Sequence, residues 1–248
     1  MPTNSQTLIE VCVDSVTGAL AAERGGADRL ELCAELDTGG LTPSLGLIRE
    51  VRARTRLPLV VLLRPHAGDF QYEADDLAVV RRDIEVAKSE GADGIVFGAL
   101  DANGAVERAT VAEMIALAAP LPVTFHRAFD LTRDPRASLA DCVQLGVARV
   151  LTSGQARTAA HGAALLRELV TLARGRIEVI AGGGLSAENI AELIRTTRVP
   201  TVHFSARVPV ASAAREQPGR VALGAHEFTR RDPSESCVRR IVDAVRKS

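Results

Sequence analysis

The chain has 248 residues, 46% of them hydrophobic, and 30 Lys and Arg against 31 Asp and Glu give a formal net charge of −1. So even a balance argues against a nucleic-acid or anionic membrane surface as the main partner. No apolar run approaches a membrane span, and the polar start MPTNSQT lacks a charged segment leading into an apolar one, so a cytoplasmic location is expected.

The predicted elements alternate along the whole chain. Short apolar runs occur at Leu8–Val13, Leu30–Ala34, Leu59–Leu63, Ile95–Leu100, Val123–Ala128, Val150–Ser153, Ile177–Ala181 and Val202–Ala206, each ending abruptly in polar or glycine residues. Seven amphipathic segments separate them, and an eighth runs from Ser234 to Lys247. Strands alternating with helices at this spacing pair in parallel, and eight such units close into one barrel. The expected architecture is therefore α/β, a single (β/α)8 barrel of the TIM class over residues 1–248. Functional residues are then sought at the carboxyl ends of the strands.

Helix starts are marked by Thr42-Pro43 before Ser44–Arg54, by Asp134-Pro135 before Arg136–Leu145, and by Ser186 before Ala187–Thr196. A weak repeat has strands 2, 4 and 6 following a glycine cap and strands 3 and 5 following Leu-Pro, as a barrel of doubled units would show. Three mouth-side loops are long: Leu36–Pro43, His66–Tyr72 and Val208–Arg231. The last reads either as a lid over the mouth or as a surface excursion.

Parallel barrel strands bury both faces, so polar residues inside them need a reason. Period-two alternation puts Glu10, Cys12 and Asp14 on one face of the first strand and Glu31, Cys33 and Glu35 on one face of the second. It likewise turns Thr124 and His126 inward in the fifth and His203 and Ser205 inward in the eighth, while the third ends in Arg64. Buried charges of this kind predict a hydrogen-bonded network of Glu10, Glu31 and Arg64. Cys12 and Cys33, on adjacent strands, form a candidate soft-metal pair, with His126 or His203 nearby, suited to Cu(I) or Zn(II). All four cysteines lie outside any CxxC and are expected to be reduced thiols, Cys142 and Cys237 as apolar filler. After the seventh strand, Gly182-Gly183-Gly184-Leu185-Ser186 precedes a helix and reads as an anion cradle at Gly183 and Gly184, completed by Ser205 and Arg207. Only two lysines occur, Lys88 and Lys247, and neither falls at the mouth, which excludes Schiff-base chemistry.

The strings LIEVCVDS, GADRLELCAELDTGGLTPSLG, LLRPHAGDFQY, GIVFGAL, PVTFHRAFD, ARVLTSGQ and AGGGLSAENI, in this order, closely resemble the CutC family of proteins named for copper homeostasis. The similarity extends from about Leu8 to Arg207. It implies a TIM barrel, a cytoplasmic homo-oligomer, an association with copper tolerance, and Cu(I) binding at Cys12 and Cys33. The matched polar positions are Glu10, Glu31, Arg64, His126, Arg127, Asp130, Ser153, His203 and Ser205. One departure stands after the third strand, where the family reads RPRGGDF and this chain has His66 and Ala67 in place of the second arginine and first glycine. A histidine there would hold an anion only when protonated.

Two functions follow as expectations. One is a copper-homeostasis protein with a copper ion as ligand at Cys12 and Cys33. The other is an enzyme acting on a small anionic or phosphorylated metabolite, with Glu10, Glu31, Arg64, His126, Asp130 and His203 as the acid–base and electrostatic set.

Overall fold

A computed structural model describes residues 6–211 and 230–248. Eight parallel strands close into a barrel: β1 (Leu8–Val13), β2 (Arg29–Leu32), β3 (Leu59–Leu62), β4 (Gly94–Val96), β5 (Val123–Phe125), β6 (Arg149–Thr152), β7 (Glu178–Gly182) and β8 (Thr201–Phe204). The helices α1 (Val16–Gly25), α2 (Leu45–Arg54), α3 (Ala74–Ser89), α4 (Arg108–Ala118), α5 (Pro135–Leu145), α6 (Ala163–Ala173), α7 (Ile190–Thr197) and α8 (Glu235–Arg246) surround it. The predicted (β/α)8 architecture is thus the observed one. No helix among the described residues is long and apolar enough to cross a membrane.

The strand ladders stop short of the apolar runs. The run predicted to Leu100 leaves the sheet after Val96, and that predicted to Ala128 leaves after Phe125. The residues beyond stay apolar because Phe97, Ala99, Ala128 and Phe129 are buried in the mouth loops. The helix predicted from Ala187 begins at Ile190, because Ala187–Asn189 first form a turn on the Ser186 carbonyl. Most of the segment 208–231 lies outside the described residues. Its ends pair as an antiparallel ribbon, β9 (Arg207–Pro209) with β10 (Arg231–Pro233), which periodicity does not announce.

Most of the core lies between strands and helices: Ile9, Val11, Leu30, Leu32, Val61 and Ile95 are all fully buried on the outward faces. Inside the barrel a smaller apolar layer of Cys12, Cys33, Val60, Leu62 and Val96 sits beside the polar groups. Helix α8 turns Val238, Ile241, Val242 and Val245 inward, and Val238 lies so close to Gly25 of α1 that a Cβ there would meet it at 2.5 Å. This packing covers the seam where β1 meets β8.

Register decides which lumen residues meet. Glu10 lies across from Arg29 of β2 and from His203 of β8, and Cys12 lies across from Glu31. Residues opposed in this way share a face of the sheet, so these five groups converge without any loop rearrangement.

Candidate active site at the barrel mouth

Glu10 is 1% exposed and bonded on both sides: Arg29 Nε donates to one oxygen at 2.5 Å, and His203 Nδ1 lies 2.8 Å from the other. Burial alone would raise its pKa. The hydrogen bond and charge of His203, with the Arg29 guanidinium, reverse this and hold the carboxyl at about 2. Burial opposes the charge on His203 too, but the Glu31 and Glu10 carboxylates carry its pKa above the usual histidine value. Each charge thus favours the other. Arg29 also reaches Glu178 at 3.2 Å, whose carboxylate accepts from Thr201 at 2.6 Å and lies 3.8 Å from Arg149.

The predicted network of Glu10, Glu31 and Arg64 does not form. Arg29 takes the place given to Arg64. It has the same strand parity as Glu31 and Cys33, and extending the second strand by one residue towards its amino end would have found it. Arg64 instead donates to the carbonyls of Thr38, Gly40 and Gly68, at 3.0, 3.1 and 3.3 Å, and lies over Phe70 at 4.6 Å. It fastens two mouth loops together while lining the cavity.

Glu31 accepts a hydrogen bond from Cys12 Sγ at 3.3 Å, and Cys12 Sγ lies 3.6 Å from Cys33 Sγ. Burial raises the Glu31 pKa, with the Glu10 charge adding to it against His203. The Cys33 contact, burial and Glu31 push the Cys12 thiol well above its ordinary value. The sulfur pair is thus real in geometry, but its Cys12 member is held towards the thiol form, and Cys33, fully buried, also lies 3.6 Å from the Val13 carbonyl.

Above this floor lies a cavity of about 310 Å3, walled by Glu31, His126, Arg127, Gly183, Gly184 and Ser205 among others. His126 lies past the end of β5, where it caps a short helical turn and its Nδ1 accepts from Ala128 N–H at 3.2 Å. Burial and the nearby Arg64 charge push its pKa down to about 3. The ring is neutral, and with Nδ1 accepting, the proton sits on Nε2. His126 thus presents an Nε2–H donor to the cavity. Its Nε2 and Glu31 Oε2 are buried polar atoms without a partner among the described residues.

The glycine turn is built as an open cradle. Gly183 and Gly184 have φ of +103° and +69°, and a Cβ on Gly184 would strike Thr158 at 2.7 Å. Ser186 N–H is used by Asn189 Oδ1, whereas those of Gly183, Gly184 and Leu185 have no acceptor among the described residues. Such free N–H groups suit an anion.

Two predicted residues are placed elsewhere. Arg207 is held at 3.4 Å by Asp14 and at 3.1 Å by Asp37, so its charge is spent on the rim. The cation beside the cradle is Arg127, whose guanidinium carbon lies 3.6 Å from where a Gly183 Cβ would be. Asp130 does not wall the cavity: it accepts from Thr152 Oγ1 at 2.5 Å, from Ser153 N–H at 2.9 Å and from Arg127 Nε at 2.8 Å. Asp130 positions Arg127. His66 turns to Asp76 at 3.3 Å, away from any anion at the mouth. Lys88 donates to the Leu117 and Ala119 carbonyls and Lys247 caps α8, both remote from the site as expected.

The CutC family model matches residues 7–208. The chain belongs to the CutC family. Among its CutC relatives is the copper homeostasis protein cutC homolog of Homo sapiens, 44% identical over 218 residues, which are 88% of this chain and 80% of that protein. The family protein CutC of Chromobacterium violaceum is 43% identical over 244 residues, 97% of this chain and 99% of its own. The crystal structure of CutC from Streptococcus agalactiae superposes with a TM-score of 0.77 at 30% identity, covering 80% of this chain and 98% of that one. The relatives' name points to copper, while the CutC barrel seen here brings to its lumen the Glu10–His203 pair, the unpartnered Glu31 Oε2 and the glycine turn.

Proposed function

We propose that this CutC-family chain is an enzyme that binds a small anionic, phosphorylated metabolite at the barrel mouth and moves a proton on it. The observation carrying this reading is the pair of orphaned buried atoms, Glu31 Oε2 and His126 Nε2, on one wall system with an open anion cradle. Buried polar atoms are nearly always satisfied, so these two, with Arg64 Nε on the same cavity, suit a polar ligand. Arg127 and the N–H groups of Gly183, Gly184 and Leu185 hold the anionic end. His126 Nε2–H polarises a carbonyl, as a neutral imidazole can, and Glu31 carries the proton. His203 and Glu10 supply a fixed charge pair beneath. The reading includes a cytoplasmic location, where the four free thiols stay reduced, and a homo-oligomeric state.

Inorganic phosphate and small phosphorylated hydroxy acids will raise the thermal midpoint of the protein, and Arg127→Ala will remove that shift. With a turned-over ligand in deuterated water, Glu31→Gln will slow hydrogen exchange at the ligand carbon by about 100-fold or more. Phosphate stabilisation that survives Arg127→Ala, or no stabilisation at all, would overturn the reading.

Copper is the second reading, favoured by the 3.6 Å separation of Cys12 and Cys33 sulfurs and by the relatives' name. Two thiols suit Cu(I) as cargo once their protons are displaced. Anaerobic Cu(I) titration will show saturable binding that the Cys12→Ser, Cys33→Ser double variant loses. Equal binding by that variant excludes the lumen thiols as the site.

A further inference from the structure

Cys12, Glu31 and His203 each offer one ligand atom, and these atoms lie within 4.8 Å of one another. A tetrahedral zinc site with bonds of about 2.0–2.3 Å sets its ligand atoms about 3–4 Å apart, so the cluster needs little adjustment to close on a cation. The closest pair, Cys12 Sγ and Glu31 Oε1, is already at 3.3 Å.

We propose that these three side chains form a binding site for one divalent cation of borderline softness, Zn(II) in chemistry, open on its fourth side to the mouth cavity. Three independent features converge on it. Glu31, 4% exposed, keeps Oε2 without a partner beside the cluster. His203 has its Nδ1 bound to Glu10 at 2.8 Å, which fixes the ring, and a cation entering at Nε2 displaces the proton there as it does that of the Cys12 thiol. Metal-bound histidines characteristically have their second nitrogen held by a carboxylate in this way, and here Arg29 clamps that carboxylate in turn. All three ligands line the same cavity, which supplies both an entry path and room for a fourth ligand. One thiolate, one carboxylate and one imidazole are a borderline set; Cu(I), which prefers sulfur and nitrogen alone, fits it poorly.

The site goes beyond the acid–base reading, because a cation and a proton exclude one another on Glu31. It is also distinct from the copper pair: it uses Glu31 and His203 and does not need Cys33.

Anaerobic titration of the full chain with Co(II) tests it by spectrum, independently of any activity. One equivalent will give a thiolate-to-cobalt charge-transfer band with intense tetrahedral visible bands, and Zn(II) will bleach both. Cys12→Ser will abolish the charge-transfer band. Glu31→Gln, and separately Glu10→Gln behind His203, will weaken binding by about 10–100-fold. Cys33→Ala will keep the band. Circular dichroism confirms the fold of each variant, and His203→Asn stands in if Glu31→Gln fails to fold. The proposal is overturned if Co(II) gives no thiolate band. It is equally overturned if the band survives Cys12→Ser, or if Cys33→Ala removes it while Glu31→Gln does not.

Discussion

Replacing Arg29 by methionine will destabilise the barrel by about 3–5 kcal/mol, the cost of removing one partner of a buried ion pair. Arg29 and Glu10 are 5% and 1% exposed, and without the guanidinium the carboxylate keeps only His203. Urea unfolding at neutral pH measures the loss. Adding Glu10→Gln to Arg29→Met removes the orphaned charge, so the double variant will be no less stable than Arg29→Met alone. Simple additivity of the two losses would show that the pair is not coupled. A pH signature accompanies it. Glu10 titrates at about 2 when folded against 4.5 unfolded, so its contribution is complete above pH 4.5 and is lost as pH falls through about 2. His203, raised above 6.5, contributes fully below that value and loses its contribution as pH rises through its folded pKa. In Glu10→Gln the acid limb will flatten.

Gly162→Ala will cost at least about 3 kcal/mol, the upper range for overpacking, because what it strikes is backbone. A Cβ there would stand 1.9 Å from the Ser153 carbonyl and 2.9 Å from Gly154 Cα. The turn it displaces carries the N–H groups that bind Asp130, and Asp130 with Ser153 Oγ holds Arg127. The same variant will therefore lose phosphate-dependent stabilisation at temperatures where it remains folded. Gly146→Ala is the control: its φ is +81° but nothing lies within 4 Å of the added carbon. Only left-handed backbone strain, about 1–2 kcal/mol, is expected there. Equal losses at the two positions would refute the steric account.

The barrel and the inward sets on the first two strands are legible because alternation is a local signal, and Glu10, Cys12, Glu31 and Cys33 each obey it. Which of them pair is not local. Glu10 meets Arg29 and His203 through strand register, and nothing within β1 states the register with β8. Arg207 misled for the same reason: Asp14 and Asp37, which bind it, are more than 150 residues away along the chain. His126 could be placed at the mouth, but its tautomer depends on burial and on the Ala128 N–H, which appear only once the loop is folded. Arg127 lay in a matched motif yet gave no sign that it, rather than Arg207, adjoins the glycine turn.

The Glu10–His203 pair crosses the seam between the first strand and the last. Glu10 therefore leaves the ribosome 193 residues ahead of its partner. A nascent chain holding seven strands has the acid, the thiols and Arg29 but lacks the imidazole, Ser205 and the wall they build. Neither the cluster nor the cavity is finished until the eighth strand docks. A chain that stops short of the eighth strand therefore lacks both, and they are completed at the moment that the sheet has no free edge left.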